Sequence, residues 1–220
     1  MKICIIAFAR TRSSMLLETI SLYYGIPILG EEINKLALER QSLPSSYNFT
    51  VDYSHLDNGV LRLHPRHFFP IRILGLSEAD RKAEFDLFNF KQYDQTYFIY
   101  RESISDLIAS FFVAEELNTF TYQGNIKPFQ NIKPIEITEK HHAHIKGQLR
   151  SEKVVLKLKE YFENNNIKYT DLFYNDIPSF VETNYPGKKT FHIETKYDYR
   201  SIIKNYDEIL PLYNYYKTIV

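Results

Sequence analysis

The size and composition of the chain are typical of an ordinary globular protein. It has 220 residues, of which 44% are hydrophobic and 25% are charged, and this balance excludes a disordered or collagen-like chain. Lysine and arginine together number 27, as do aspartate and glutamate, so the charge balance gives no reason to expect a nucleic-acid or membrane partner. The single Cys4 excludes a disulfide framework or a multi-cysteine zinc site within this sequence. We expect one soluble, cytoplasmic domain over residues 1–220.

The first half of the chain is predicted to alternate strands and helices. The apolar run over residues 2–9 predicts a strand buried on both faces of a parallel sheet, and the helical spacing that follows it ends at Gly25. Further strands are predicted over residues 59–64 and 95–100. Between these two strands, residues 77–90 have the cap and the apolar spacing of a helix.

The second half is predicted to continue the same alternation. A helix is expected to begin after Ser103 and run to about residue 117, and a longer helix is expected over residues 138–162. Strands are predicted over residues 167–173 and 189–193, followed by one or two short helices over residues 199–216. This order favours a three-layer α/β fold around a mostly parallel sheet, in which ligands bind at the carboxyl ends of the strands.

The segment that joins the first strand to the first helix is rich in groups that bind anions. Over residues 9–14 it reads A-R-T-R-S-S, which brings two guanidinium groups and three hydroxyls to a helix N-terminus. Helix N-termini attract phosphate through unsatisfied N–H groups and the helix dipole, and arginine adds bidentate hydrogen bonds. The alternative is a solvated loop with an ordinary serine cap. The predicted anion ligands are Arg10, Thr11, Arg12, Ser13 and Ser14.

A second strand-to-helix junction carries a similar pair of side chains. Arg101 directly follows the strand predicted over residues 95–100, and Ser110 lies within the next helix. A parallel sheet brings the ends of its strands to the same edge, so two such junctions suit a ligand with phosphates at two separated positions. A doubly phosphorylated nucleotide is the expected ligand.

These motifs resemble those of the sulfotransferases that use 3′-phosphoadenosine 5′-phosphosulfate (PAPS), especially the short bacterial and phage-type members. The family's phosphosulfate loop, P-[KR]-[ST]-x-[ST]-[ST], is similar to residues 9–14, and its 3′-phosphate motif is similar to Arg101 and Ser110. A later Y-E-D-L motif is similar to residues 169–172. Arg12 stands where many members have glycine, which permits a positive φ.

The resemblance implies both a fold and an activity. The fold would be the P-loop-NTPase-like sulfotransferase fold, a three-layer α/β domain. The activity would be transfer of a sulfuryl group from PAPS to a hydroxyl or amine of a carbohydrate or other small molecule, with no metal. Residues 9–14, Arg101 and Ser110 would bind the cofactor.

The resemblance also implies catalytic roles. Arg10 stands in the family's basic position, where its charge would stabilise the departing phosphate; it should not donate a proton, because a guanidinium stays protonated above pH 12. Related enzymes often have a glutamate base shortly after the first helix, which implies Glu31 in preference to Glu32. The alternative for this pair is favourable interaction with the dipole of a following helix. Arg62 and His64, at the end of the second predicted strand, are expected to point toward the active edge, where the family has similar basic residues. His64 is another candidate base, with a structural hydrogen-bonding role as the alternative.

The first strand and the segment after it are also compatible with other functions. A nucleotide kinase P-loop requires G-x-x-x-x-G-K-[ST], and the segment has neither its glycines nor its lysine. Cys4, Arg10 and Thr11 satisfy the C-x5-R-[ST] pattern of cysteine phosphatases, although the intervening residues are apolar and predict a strand. A non-catalytic nucleotide-binding protein of the same fold is a further alternative. A metal site is a separate candidate. It would use His141, His142 and His144, but no nearby carboxylate has the spacing to complete a tetrahedral site with them.

Overall fold

A computed structural model of the chain describes residues 1–8, 11–29, 58–68, 70–116, 133–187 and 198–220. Contacts between these residues divide them into two units. The first comprises the described residues of Met1–Tyr100 and Ser151–Thr190, and the second those of Arg101–Arg150 and Phe191–Val220. The single domain over residues 1–220 stays a prediction.

The first unit is built on a four-stranded sheet in which every strand runs parallel to its neighbours. The strands are β1 (Lys2–Ala7), β2 (Gly59–Leu63), β3 (Gln95–Tyr100) and β4 (Thr170–Phe173). Their order in the sheet is β2-β1-β3-β4, so β1 and β3 are central. The predictions of a parallel α/β fold and of its first three strands are confirmed. The strand predicted over residues 189–193 lies outside the described residues.

The helices that flank the sheet or form the second unit follow in chain order. They are α1 (Ser13–Tyr24), α2 (Pro70–Gly75), α3 (Glu78–Asp86), α4 (Ile104–Glu116), α5 (Glu139–Asn164), α6 (Ile177–Asn184), α7 (Tyr199–Ile202) and α8 (Ile209–Ile219). Among the described residues, no helix combines the length and the apolar character needed to cross a bilayer.

One face of the sheet packs against α1 and α6. Successive side chains of a strand point to opposite faces, and register partners in parallel strands share a face, so Ile5 of β1 lies on the same side as Tyr97 of β3. These residues are buried in one cluster with Leu16 of α1 and Ile177 of α6. The register also places Arg62 of β2 opposite Ile5, which directs it toward the α1 side.

The opposite face is covered by aromatic side chains. Phe98 of β3 contacts the ring of Phe162 in α5, with 5.4 Å between the ring centroids, and Phe162 also contacts Phe90 at 4.9 Å. All three rings are fully buried. Helices therefore cover both faces of the sheet, as predicted for an α/β fold.

The second unit has its own apolar core. Ile108 and Phe112 of α4 are buried in one cluster with Ile145 of α5 and Ile209 of α8. Helix α4 begins as predicted, because Ser103 accepts a hydrogen bond at Oγ from the N–H of Asp106 over 3.2 Å.

The structure corrects several element boundaries. Helix α3 ends at Asp86, four residues before the predicted end, and Asn89 within the predicted range has the left-handed φ of 44°, which a continuous helix does not allow. Strand β4 begins at Thr170, three residues later than predicted, and Asn166 before it has φ 53°. Helices α2 and α6 are not predicted from the sequence.

Candidate functional site

The loop between β1 and α1 lies at the carboxyl end of a central strand. Thr11 is fully buried, and its Oγ1 donates a hydrogen bond of 2.7 Å to the carbonyl of Phe8. This bond connects the residue before Arg12 to the residue that follows β1. The hydroxyl proton of Thr11 is engaged in this bond, and the predicted contact of Thr11 with the cofactor stays a prediction.

Arg12 gives the loop the backbone turn that glycine usually provides. Its φ is 58° and its ψ is 16°, which is the left-handed region, and α1 begins at the next residue. This conformation costs a residue other than glycine about 1–2 kcal/mol. The first turn of α1 carries no acidic side chain and Arg12 provides no side-chain cap. The positive end of the helix dipole is therefore not offset by a carboxylate in that turn.

The side chain of Arg12 reaches the end of β4. Its Nη1 donates a hydrogen bond of 3.0 Å to the carbonyl of Tyr174, the residue after β4. Its guanidinium carbon also lies 3.9 Å from the centroid of the Tyr174 ring, in a cation–π contact. The guanidinium predicted to bind an anion is thus held against Tyr174.

A second guanidinium lies at the start of α1. Arg62 of β2 donates a hydrogen bond of 2.7 Å from Nη1 to Oγ of Ser14. Burial lowers the pKa of Arg62 from its ordinary value, and the carboxylate of Glu18 opposes this shift. Because that ordinary value is above 12, Arg62 keeps its charge at neutral pH. A fixed positive charge therefore adjoins the N-terminus of α1.

The first two residues of α1 are serines that differ in exposure. Ser13 is buried, whereas Ser14 is partly exposed and accepts the hydrogen bond from Arg62. Because a hydroxyl carries one proton and two lone pairs, Ser14 can accept from Arg62 and still donate its proton to an anion.

The candidate catalytic residues are described only in part. Arg10, Glu31 and Glu32 lie outside the described residues. His64 directly follows β2, is partly exposed, and contacts the ring of Phe8 edge-on with 6.4 Å between centroids. Its position after a strand end agrees with the sequence prediction, and its role as a base stays a prediction.

Arg101 and Ser110 belong to the second unit. Arg101 directly follows β3 in the chain, is partly buried, and has its guanidinium carbon 5.7 Å from the ring centroid of Tyr199. Ser110 is buried in α4, where its Oγ donates a hydrogen bond of 2.8 Å to the carbonyl of Leu107. Its hydroxyl would have to turn away from Leu107 to donate to a phosphate. Cofactor binding by these two residues stays a prediction.

Cys4 is in the middle of β1 and has none of the features of a catalytic thiol. Its side chain is fully buried, and burial raises the pKa of the thiol well above its ordinary value. A nucleophilic cysteine instead needs an exposed, electropositive environment that lowers its pKa. The structure thus favours the strand over the phosphatase loop for this segment.

We predict that Cys4→Ala lowers the free energy of unfolding by about 1 kcal/mol or somewhat more, because it removes a buried sulfur and its packing contacts. Denaturant unfolding measures the change. Iodoacetamide should label wild-type Cys4 slowly until denaturant is added. Rapid labelling of the native protein, together with an aryl phosphatase activity that Cys4→Ala abolishes, would contradict the assignment.

Three histidines near the start of α5 are engaged in hydrogen bonds within the second unit. Nδ1 of His141 accepts a bond of 2.9 Å from the N–H of Thr138, and Nε2 of His144 lies 3.0 Å from Oε1 of Glu115. Nδ1 of His142 lies 3.1 Å from a tyrosine hydroxyl. Within the described part of the chain, no group of three potential metal ligands lies together.

His141 takes the place of the glutamate or glutamine in a capping box. It stands three residues after Thr138, where the side chain reaches back to the N–H of the cap residue. Nδ1 must be unprotonated to accept this bond. Burial lowers the pKa of His141 from its ordinary value of 6.5, with a further contribution from Lys140, while Glu115 and Glu116 oppose the shift.

Acidification should therefore destabilise the protein through His141. A histidine whose pKa is lower when folded binds its proton more readily when unfolded, so stability is lost as pH falls below about 6.5. Glutamine retains the cap and does not titrate. We predict that His141→Gln loses less unfolding free energy than wild type between about pH 7.5 and about pH 5.5. Denaturant unfolding at both pH values measures this, and equal losses would contradict it.

Two residues that interact with arginines near the site are not predicted from the sequence. Tyr174 binds Arg12 from the end of β4, and Glu18 lies on α1 near Arg62. Tyr174 follows a predicted strand, so the rule that ligands gather at strand ends could have indicated it. Its pairing with Arg12 spans 162 residues and has no local sequence signal.

Comparison with models of known protein families finds no family that matches the chain, and comparison with curated proteins finds no significant relative.

Proposed function

We propose that this protein is a sulfotransferase that moves a sulfuryl group from PAPS to a hydroxyl or amine of a carbohydrate or other small molecule. The observation that carries the proposal is the loop at the end of β1. It turns at Arg12 with φ 58° directly into the N-terminus of α1, while the guanidinium of Arg62 is hydrogen-bonded to Ser14. This loop occupies the segment that resembles the phosphosulfate motif of PAPS-dependent enzymes.

The groups in this loop suit an anionic ligand. A helix N-terminus favours negative charge, Arg62 contributes a fixed positive charge, and the hydroxyl of Ser14 can donate a proton. The location also fits, because β1 is a central strand of a parallel sheet and ligands of such sheets bind beyond the carboxyl ends of strands. We therefore propose the three-layer sulfotransferase version of the α/β fold for this chain.

The second phosphate is assigned through the junction after β3. Register pairs Ala7 at the end of β1 with Ile99 near the end of β3, and Arg101 follows β3 in the chain. We assign the 3′-phosphate to Arg101, with Ser110 as its second ligand. The support is the resemblance of this pair to the family motif.

The reaction needs a positive charge that stabilises the departing phosphate and a base that accepts a proton. Bound PAPS supplies the sulfuryl group and the phosphate that departs from it. Arg10 stabilises the negative charge that develops on the departing phosphate oxygen. Glu31, or His64 in its neutral form, accepts the proton of the acceptor hydroxyl or amine. None of these roles uses a metal ion.

Thermal unfolding in the presence of nucleotides tests the proposal. Ligand at about 100 times its Kd stabilises the folded state by about 2.7 kcal/mol. In a chain of this size that corresponds to a rise in Tm of about 5–10 °C. We expect 3′,5′-adenosine bisphosphate to give this rise, with smaller effects from AMP, ATP and GTP. EDTA should not change the result.

Other outcomes would point to other functions. Equal stabilisation by AMP would mean that no group binds a 3′-phosphate. Stabilisation by ATP or GTP with Mg²⁺ above that by the bisphosphate would favour a nucleotide kinase. Selective binding of the bisphosphate without turnover of PAPS against a panel of sugars, phenols and amines would favour a non-catalytic binding protein.

A further inference from the structure

Arg12 and Tyr174 connect the candidate loop to a distant strand end. Arg12 lies between β1 and α1, and Tyr174 follows β4, which is separated from β1 in the sheet by β3. The contact has two parts, a hydrogen bond of 3.0 Å to the Tyr174 carbonyl and a cation–π contact of 3.9 Å with its ring. The contact therefore links the start of α1 to the end of a strand that is not adjacent to β1 in the sheet.

The partner is itself held by the sheet. The N–H of Tyr174 donates a hydrogen bond of 2.8 Å to the carbonyl of Tyr100, the last residue of β3. On the other side of the loop, Ser14 is hydrogen-bonded to Arg62 of β2. Arg12 and Ser14, at the start of α1, thus contact residues on or after the two edge strands, β4 and β2.

The left-handed backbone conformation of Arg12 needs stabilisation by other contacts. A residue with a Cβ disfavours the left-handed region, and here the residue is an arginine with φ 58°. A glycine would take this conformation without strain. The contacts with Tyr174 oppose the tendency of Arg12 to leave it.

We infer that Arg12 is a positioning residue, which holds the turn at the start of α1 in its ligand-binding conformation by its contacts with Tyr174. The inference rests on the proposed function for the identity of the ligand. Arg12 acts through the backbone it fixes, and the donors it positions are those of Ser13 and Ser14. This role differs from the direct phosphate contact predicted for Arg12 from the sequence.

Substitution of Tyr174 separates the two roles, because it leaves the charge of Arg12 in place. Tyr174→Ala removes the ring that Arg12 contacts, and Tyr174→Phe is the matched control that retains it. If Arg12 positions this turn, Tyr174→Ala weakens binding of 3′,5′-adenosine bisphosphate about tenfold, and Tyr174→Phe binds within about twofold of wild type. Calorimetric titration of fully folded protein measures both, with Tm as the check on folding.

A double-mutant cycle tests the coupling. Arg12→Ala should weaken binding about tenfold or more, because it removes both the hydrogen bond to the Tyr174 carbonyl and the cation–π contact. Adding Tyr174→Ala to it should have little further effect, since the ring contact is already lost. Tyr174→Ala binding as tightly as wild type would overturn the inference, and so would additive effects.

Hydrogen exchange tests the positioning role of Arg12 without any ligand. The amides of residues 12–16 should exchange faster in Tyr174→Ala than in Tyr174→Phe, because the turn at Arg12 and the first turn of α1 open more often. Unchanged exchange would overturn the inference. Failure of the wild-type protein to bind the bisphosphate would instead contradict the proposed function, and the exchange rates alone would then decide the positioning role.

Discussion

Replacing Arg10 with alanine is expected to lower turnover of PAPS by a factor of about 10²–10³ at saturating cofactor. This is the loss typical of removing one donor that stabilises charge developing in a transition state. Arg10→Lys retains a positive charge and should recover part of the rate. Release of 3′,5′-adenosine bisphosphate, with water or the best acceptor from a panel of sugars and phenols, measures turnover.

Arg101→Ala provides the contrast with Arg10→Ala. Its expected effect is on cofactor affinity, because Arg101 is assigned to the 3′-phosphate, remote from the reacting sulfur. Kinetically, Arg101→Ala should raise the KM for PAPS, whereas Arg10→Ala should lower kcat. If Arg10→Ala retains the wild-type kcat at saturating PAPS, the assignment of Arg10 is wrong.

Phe162→Ala is expected to cost about 3–5 kcal/mol of unfolding free energy, the usual loss when a fully buried phenylalanine is truncated. Phe162 has no exposed surface and contacts Phe90 and Phe98 with ring centroids 4.9 and 5.4 Å apart. The substitution removes the ring that joins α5 to the sheet. Denaturant unfolding at equilibrium measures the loss.

Leu156→Ala is the matched control on the same helix. Leu156 is 59% exposed, so its truncation should change the unfolding free energy by less than about 0.5 kcal/mol. Similar losses for the two variants would contradict the packing of α5 on the sheet.

The sequence predicts the sheet well because its strands have strong local signals. Residues 95–100 are rich in aromatic and β-branched residues and are followed by Arg101, and the structure has β3 at Gln95–Tyr100. Residues 167–169 are included in the predicted strand but precede β4, and Asn166 directly before them has φ 53°. Composition alone does not predict where the strand begins.

The candidate site is predicted less completely, since its contacts join distant parts of the chain. The anion-binding loop is visible as a run of arginine and hydroxyl residues, but the contact of Arg12 with Tyr174 depends on strand order. For Ser110 the sequence supports two predictions. The resemblance assigns its hydroxyl to the cofactor, whereas its position three residues after Leu107 on the apolar face of α4 indicates burial, and the structure shows that it is buried.

The proposal that the protein binds a doubly phosphorylated nucleotide is tested most directly by the ratio of two dissociation constants. Calorimetric titration gives the Kd of AMP and the Kd of 3′,5′-adenosine bisphosphate, which differ only by the 3′-phosphate. We expect wild type to bind the bisphosphate at least about tenfold more tightly, as a charge-assisted contact with Arg101 implies, and Arg101→Ala to lose this preference. Equal constants for the two nucleotides in wild type would contradict the account.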